Sequence, residues 1–287
     1  MARRALVLGG GGPVGIAWES GIVAGLEQNR VVVGNADLIV GTSAGSVVGA
    51  QLSLGRSGKD LLATQLADAP RLGPPGAASA PAPDLGPLMQ LMMSRPADGE
   101  MPLATRIEIG KLALNAKPIL DETSFVNNFG RLINAGTWPE KFVCTTIDAL
   151  DGSFHSWNRA SAVELGRAVA SSCAVPGIFP TIEIKGRRYY DGGIRSATNS
   201  DLANGYDKVL VVAVMSSAMP ESYRQRLEAE LAGVRATGAR TELIVPNQEC
   251  LALFGLNLMD SSRRADIARE GERQGRAEAS RINDFWN

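Results

Sequence analysis

Short apolar runs alternate with longer amphipathic segments along this chain. Residues 5–8, 38–40 and 209–214 are uninterrupted apolar runs, which is typical of strands buried on both faces of a parallel sheet. Residues 15–28 and the segment after Ser43 have the apolar spacing of helices. Strands that alternate with helices predict a three-layer α/β/α fold whose central sheet is mainly parallel.

Two hairpins are predicted after residue 140. Residues 141–147 form one strand, which a turn at Asp151 joins to a second strand through His155. The other hairpin joins residues 182–184 to residues 187–190. The remaining predicted elements are one strand and three helices, at residues 242–245, 161–172, 221–234 and 261–282.

A proline-rich excursion interrupts the fold between residues 70 and 102. Eight prolines stand there among alanine and glycine, which excludes a continuous helix or a central strand. Within it, residues 85–93 are rich in leucine and methionine. We interpret the excursion either as a surface segment with one helical turn packed on the core or as a lid that contacts lipid.

The chain length suits one large α/β domain or two small ones, and we expect a single domain over residues 1–287.

Composition and charge narrow the class of partner. Apolar residues make up 45% of the chain and charged residues 21%, and the net charge is −1, as in ordinary globular proteins. Because no block of lysine or arginine is present, we expect no nucleic-acid partner. The cysteines, Cys144, Cys173 and Cys250, lie too far apart for a zinc or disulfide pattern. We therefore expect small buried thiols, no metal and a reducing compartment.

Neither the N-terminus nor the longest uncharged stretch predicts a membrane segment. The apolar run after Arg4 is far too short for the hydrophobic part of a signal peptide. Residues 38–55 are uncharged, but polar side chains and a glycine-rich turn interrupt them, so we interpret them as strand, turn and helix. We therefore expect a cytoplasmic protein, with any membrane contact being peripheral.

A G-x-S-x-G pentapeptide stands between the second predicted strand and the helix after it. It comprises Gly41, Thr42, Ser43, Ala44 and Gly45. A serine on such a tight turn exposes its Oγ at the helix N-terminus, and the flanking glycines relieve crowding there. In a chain with 32 glycines the pentapeptide alone is a weak signal. Its position between a buried strand and an apolar helix makes Ser43 a candidate nucleophile.

A run of glycines follows the first predicted strand and includes Gly10, Gly11, Gly12 and Gly15. The backbone N–H groups of such a loop can converge on an anion, and an acyl-transfer enzyme needs such donors where the tetrahedral oxyanion forms. The alternative is a dinucleotide site, because the same glycines fit G-x-G-x-x-G. That site requires an acidic residue at the end of the second strand, whereas Asp37 precedes that strand. We therefore favour an oxyanion loop.

A serine nucleophile needs a base. Asp191 and Gly192 belong to a Y-D-G-G turn after the second hairpin, where a carboxylate can point into a cleft, although such turns are also common strand ends. His155 is the only histidine and precedes Asp191. Because an α/β-hydrolase triad runs serine, acid, histidine along the chain, residue order excludes that triad. We interpret His155 as a structural strand residue.

Together and in this order, the three motifs resemble those of the patatin-like phospholipases. That family has a glycine-rich oxyanion loop, a serine elbow and a D-G-[GA] turn. The matching residues are, in that order, Gly10, Gly11, Gly12 and Gly15; Gly41, Ser43 and Gly45; and Asp191 and Gly192. Residues 170–180 resemble the stretch that precedes the aspartate in bacterial members. Val14 departs from the family pattern, which has arginine or lysine at that position.

The resemblance implies a patatin-like fold and a carboxylic ester hydrolase. In such an enzyme a Ser43–Asp191 dyad cleaves fatty-acyl esters through an acyl-enzyme, without histidine. The implied substrate is a phospholipid, a lysophospholipid or another acyl ester, and no metal or other cofactor is implied. Two alternatives stay open, a catalytically silent regulatory module of the same fold and a nucleotide-binding protein that uses the glycine loop.

Overall fold

An eight-stranded sheet forms the centre of the fold. The structure is a computed structural model that describes residues 2–67, 85–96, 100–133, 137–215, 219 and 221–287. Within these residues the strands are β1 (Arg4–Leu8), β2 (Leu38–Gly41), β3 (Phe142–Asp148), β4 (Phe154–Trp157), β5 (Ile182–Ile184), β6 (Arg187–Asp191), β7 (Lys208–Val212) and β8 (Arg240–Ile244).

Five neighbouring strands make the parallel part of the sheet. In the order β3-β2-β1-β7-β8, each strand pairs with the next in parallel. β4 and β6 pair with β3, and β5 pairs with β6, all in antiparallel register. The mainly parallel sheet and the two hairpins predicted from the sequence are therefore confirmed.

The described part of the chain contains ten α-helices. They are α1 (Gly12–Gln28), α2 (Ala44–Ser53), α3 (Gly58–Leu66), α4 (Gly86–Met93), α5 (Leu103–Asn115), α6 (Glu122–Ile133), α7 (Leu165–Ser172), α8 (Glu221–Ala236), α9 (Gln248–Phe254) and α10 (Arg264–Trp286). α1 begins earlier than predicted, so the end of the glycine run forms its first turn. Helix α3 is not among the elements predicted from the sequence, although Ser57 and Asp60 form a capping box there.

Side chains of β1 enter two different cores, as a strand covered on both faces requires. Leu6 and Leu8 pack into the larger core, to which α1, α2 and α10 contribute. Ala5 and Val7 pack into a second core that contains Leu231 of α8. Helices therefore cover both faces of the sheet, which confirms the three-layer α/β/α architecture.

The proline-rich excursion is described only in part, because residues 68–84 and 97–99 lie outside the described residues. Its described part contains α4. Leu88 of this helix is buried in a cluster with Met101 and Ile109, whereas Met89 is exposed and Met93 is 82% exposed. One side of α4 thus packs on the core and the other presents methionine, and the lid remains a prediction.

Glycines on both helices let α10 pack directly against α1. A Cβ on Gly21 or Gly25 of α1 would lie 2.2 Å from a backbone oxygen of α10. A Cβ on Gly275 of α10 would lie 2.4 Å from the Ile22 oxygen. These distances are far inside van der Waals contact, so only glycine allows the two backbones to approach this closely. This packing holds α1 in position, and the first turn of α1 contains the end of the glycine run.

We expect Gly25→Ala to lower the free energy of unfolding by about 2 kcal/mol, because the added methyl group must separate two packed helices. The matched control is Gly233→Ala in α8, where a Cβ meets nothing within 4 Å. That change should raise stability by about 0.5–1 kcal/mol, since alanine loses less backbone entropy in a helix. Urea unfolding measures both effects, and equal stabilities of the two variants would contradict the packing.

Candidate active site

Strand β3 brings the ends of two other strands together. β4 pairs along one edge of β3, between Cys144 and Ile147, so β2 and β6 share the other edge. β2 is parallel to β3 and has Gly41 opposite Cys144, whereas β6 is antiparallel and has Asp191 opposite Thr146. The two strands therefore point at each other, and their ends lie about 7 Å apart along β3.

Ser43 lies in the turn between β2 and α2 in a strained backbone conformation. Its φ is 51° and its ψ is −115°, a combination that residues other than glycine rarely adopt. The Ser43 N–H donates a hydrogen bond to the Ser172 hydroxyl, at 3.0 Å, and Ser43 is 7% exposed. A strained strand-to-helix turn of this kind is the backbone geometry of a nucleophile elbow.

The glycines on either side of Ser43 are required by close backbone contacts. A Cβ on Gly45 would lie 2.1 Å from the carbonyl oxygen of Leu8. A Cβ on Gly41 would lie 2.5 Å from the Cα of Ser46. The G-x-S-x-G spacing therefore allows α2 to begin directly against the end of β1.

Asp191 ends β6 and is 5% exposed. Its carboxyl accepts a hydrogen bond from the Gly193 N–H at 2.8 Å, and the neighbouring Ser43 side chain also favours its charged form. Burial raises the pKa of Asp191 to about 7, and the Gly193 N–H and the Ser43 side chain only partly oppose this effect. Gly192 lets the turn follow β3 closely, because a Cβ there would lie 2.4 Å from Thr145 Oγ1. The carboxyl can therefore accept a proton from Ser43 near neutral pH.

The glycine loop runs beside Ser43. A Cβ on Gly10 would lie 3.5 Å from the Ser43 Cβ. The Gly10 N–H donates to the Ala197 carbonyl at 2.8 Å, so this donor is engaged. Among the described residues, the N–H groups of Gly11 and Gly12 have no hydrogen-bond acceptor. These two groups, at the N-terminus of α1, are thus the donors of the predicted loop that are free to hold an anion.

The loop before α10 covers part of the α1 N-terminus. The Val14 N–H donates to the Leu258 carbonyl at 3.3 Å, and a Cβ on Gly12, whose φ is 58°, would lie 2.7 Å from the same oxygen. Val14 is itself buried. On Gly15, a Cβ would lie 3.1 Å from Ala44 Cβ, which shows how tightly α1 and α2 meet here. The turn is thus closely packed and carries no cation at residue 14.

His155 is separated from Asp191 by a strand. Both residues pair with Thr146, from opposite edges of β3, which places their backbones about 10 Å apart. His155 Nε2 hydrogen-bonds with the Ser153 hydroxyl at 3.0 Å, and its ring contacts Trp157 and Tyr189. These neighbours agree with a structural strand residue.

Asp37, the acidic residue nearest to the position that a dinucleotide site requires, lies at the wrong end of the sheet. Asp37 accepts the Arg4 N–H at 2.7 Å, at the start of β1, whereas the glycine loop follows the end of that strand. An acid that binds a ribose must lie near the glycine loop. This geometry therefore disfavours the nucleotide alternative.

Three residues that hold the two turns in place, Ser172, Thr145 and Asn199, are not among the site residues predicted from the sequence. Ser172 belongs to the stretch that resembles the family. The run of polar residues at 198–201, soon after the D-G-G turn, was the available signal for Asn199. The hydrogen bonds that make these residues important span more than 50 positions, so no local pattern predicts them.

Metal ligands and membrane spans are absent from the residues that the structure describes. In these ranges no group of three or more His, Cys, Asp or Glu side chains is arranged to hold a metal ion. No described helix has the length and apolar character needed to cross a membrane. The three cysteines are buried and free, and burial raises the pKa of the Cys173 thiol far above its usual value, so this thiol is protonated.

One comparison with known proteins identifies a family. The sequence profile of the family described as patatin-like phospholipase matches residues 6–204. No curated protein matches the chain in sequence at a significant level. Similar solved structures include the type III effector ExoU, at 17% identity and a TM-score of 0.43, covering 98% of this chain and 53% of ExoU.

Two further solved structures show similarity of the same degree. VipD from Legionella pneumophila has 14% identity and a TM-score of 0.45, and the match covers 98% of this chain and 67% of VipD. ExoU from Pseudomonas aeruginosa, in complex with SpcU, has 15% identity and a TM-score of 0.44, with 100% of this chain and 53% of that chain covered. The chain thus spans about half the length of the ExoU chains that it matches.

The pKa of Asp191 makes a prediction about stability. Because the pKa of about 7 in the folded state exceeds the ordinary value of 3.8, the folded state holds a proton that the unfolded state releases. Wild-type stability should therefore fall as pH rises towards 7. Asp191→Asn removes this titration. The free energy of unfolding of the variant, relative to that of wild type, should therefore rise by about 3 kcal/mol between pH 5 and pH 8. Urea unfolding at both pH values measures it, and a constant difference would contradict the buried carboxyl.

Proposed function

This chain belongs to the patatin-like phospholipase family, a family of lipid acyl hydrolases, and on that premise we propose that it cleaves fatty-acyl esters with Ser43 as nucleophile and Asp191 as proton acceptor. The observation that carries the proposal is the buried Asp191 carboxyl beside the Ser43 side chain, which favours the charged form of that carboxyl. The glycine loop beside Ser43 supplies free N–H donors. We propose that the whole chain is one such domain, since the C-terminal α10 contributes to the same core as β1.

In the first half of the reaction, Asp191 takes the proton from Ser43 Oγ as that oxygen attacks the ester carbonyl. The carbonyl oxygen becomes an oxyanion. When the intermediate collapses, the C–O bond to the alcohol breaks, and the alcohol leaves with the proton from Asp191. The acyl group then remains on Ser43 as an ester.

In the second half, water replaces the alcohol. Asp191, ionised again, takes a proton from the water as its oxygen attacks the acyl-enzyme. The bond to Ser43 Oγ breaks, Oγ takes the proton back from Asp191, and the fatty acid leaves. The same carboxyl thus works as base and then acid in each half, which suits a pKa of about 7 at neutral pH.

The oxyanion requires donors close to Ser43. We propose that the N–H groups of Gly11 and Gly12 bind it, helped by the dipole of α1. Gly10 belongs to the same loop, but its N–H donates to the Ala197 carbonyl. We therefore propose that Gly10 serves to let the loop pass close to Ser43. Loss of one oxyanion donor typically costs about a hundredfold to a thousandfold in rate.

Peripheral contact with lipid is part of the proposal. The exposed methionines of α4 lie on the excursion that we interpret as a lid. Leu85, just before α4, lies close to Gly177, because a Cβ on that glycine would be 3.5 Å from the Leu85 side chain. Residue 177 is in the segment that leads from α7 towards β6 and Asp191. A lipid aggregate that contacts α4 would therefore present its ester close to the proposed active site. We expect such a protein in the cytoplasm, at lipid surfaces.

The second candidate function is a catalytically silent regulatory module with the same fold. The observation in favour of this function is Val14, which stands where the family pattern has arginine or lysine. The two candidates differ in whether a soluble ester is hydrolysed at all. The strained backbone at Ser43 argues against a catalytically silent protein, because such strain lowers stability and is typical of active sites.

We expect Ser43→Ala to abolish hydrolysis of a soluble chromogenic ester and Asp191→Asn to be nearly as damaging. His155→Ala should keep turnover within about tenfold of wild type, because only local packing is disturbed. Circular dichroism checks that each variant is folded. A folded and inactive His155→Ala together with an active Asp191→Asn would show that the proposed dyad is wrong.

For the proposed lid, we expect replacement of Met89 and Met93 by serine to lower activity on micellar substrate about fivefold or more, because lipid contact loses apolar area. Activity on a soluble ester should change less than about twofold. Leu88 is kept, since it is buried. The control is Val32→Ser, an exposed apolar residue near the start of β2, away from the proposed active site. Equal losses on both substrates would favour a packing role for α4.

A further inference from the structure

Asn199 connects the two turns that carry Ser43 and Asp191. Its amide nitrogen donates to Thr42 Oγ1 at 3.0 Å and to the Ser196 carbonyl at 2.8 Å. The same nitrogen is 3.4 Å from the Gly192 carbonyl oxygen. Thr42 precedes Ser43, and Gly192 follows Asp191, so one side chain contacts both turns.

Asn199 is held in a conformation that suits few other residues. It is fully buried, with φ 51° and ψ 41°, a left-handed conformation that asparagine tolerates better than most residues. Its backbone N–H donates to the Ser196 hydroxyl at 2.8 Å. The position therefore requires both an unusual backbone and a buried amide.

Arg195 fixes the orientation of that amide. Its Nη1 donates to Asn199 Oδ1 at 2.9 Å. Because a guanidinium only donates, the amide atom next to it must be the oxygen, and the nitrogen must point towards Thr42. Arg195 is anchored in turn by Asp201, at 2.8 and 2.9 Å, and by Glu100. The Phe154 ring lies 4.3 Å from its guanidinium carbon.

Thr145 completes the link between the turns. Its hydroxyl lies 3.0 Å from Thr42 Oγ1 and 3.3 Å from the Asn199 amide nitrogen. Thr145 is on β3, between the residues that oppose Gly41 and Asp191. The polar contacts therefore fill the gap where β2 and β6 end.

We propose that Asn199 is a positioning residue, which sets the separation of Ser43 and Asp191 by holding Thr42, Thr145 and Gly192 in one hydrogen-bonded unit that Arg195 orients. This inference rests on the proposed function, because it assigns Asn199 a role in that reaction. Without the amide, each turn would still follow its own strand, but no polar side chain at residue 199 would contact both turns. Misplacement of a catalytic group by about 1 Å can cost about a hundredfold in rate.

The test uses Asn199→Gly, which keeps the left-handed backbone and removes the amide. We expect kcat on a soluble ester to fall about a hundredfold with KM within about threefold, since substrate binding is not touched. The pKa of Asp191 should rise further, because the interaction with the Ser43 side chain that lowers it is weakened. Carbon-13 NMR of the Asp191 carboxyl measures this pKa without any need for activity.

Two further variants keep the test decisive. Asn204→Gly is the matched control, because Asn204 is exposed and caps the other end of the same short helical turn, Ser200–Ala203. It should behave as wild type. Thr145→Val keeps the shape of a β-branched residue and removes one partner of the amide, so we expect a smaller loss of about tenfold if Asn199→Gly does not fold.

The outcomes separate the two proposals. A wild-type protein that hydrolyses no ester would refute the proposed function, while a raised pKa of Asp191 in Asn199→Gly would still support the positioning role. A folded Asn199→Gly with wild-type kcat and an unchanged pKa of Asp191 would overturn it. In the case of misfolding, a folded Thr145→Val with wild-type kcat and an unchanged pKa of Asp191 would overturn it equally.

Discussion

A carboxyl group buried against a serine hydroxyl is the constraint on which the site depends. The pKa of Asp191 is set by burial, by the hydrogen bond from Gly193 and by the neighbouring Ser43 side chain, and no charged group contributes. Without a cation beside it, the carboxyl holds its proton up to about pH 7 instead of releasing it near pH 4. A histidine base reaches the same pH range by its intrinsic chemistry. For the base that we propose, the fold reaches it by excluding water from an aspartate, so the geometry of the two turns determines that pH range.

That geometry comes from strand β3. β2 and β6 share one of its edges and run towards each other, so Ser43 and Asp191 face each other across the gap between two strand ends. Several glycines make this arrangement possible by allowing backbones closer than a Cβ would permit, at Gly41, Gly45 and Gly192. The strain at Ser43 and the buried carboxyl both oppose folding. The two hydrophobic cores and the α1–α10 contact supply the stability that offsets them.

Sequence patterns predicted the strands well because buried parallel strands are short apolar runs with sharp ends. They also indicated Ser43, Asp191 and the glycine loop, since each motif has a turn chemistry that depends on neighbouring residues. They did not show that Gly10 has its N–H engaged by Ala197 or that Gly11 and Gly12 are free, because hydrogen bonds between distant segments follow from the tertiary fold. Helix α6 was missed although Phe125, Phe129 and Ile133 recur at helical spacing. Asn199 escaped notice because its partners lie on other elements.

The most direct test of the central claim is to react the protein with a fluorophosphonate and map the adduct by mass spectrometry. The account predicts one adduct, on Ser43, formed faster as pH rises through about 7, where Asp191 loses its proton and becomes able to take the proton of the serine. Ser43→Ala should remain unlabelled, and Asp191→Asn should react far more slowly at every pH. An adduct on another residue, or undiminished labelling of Ser43→Ala, would contradict the assignment of Ser43 as the nucleophile.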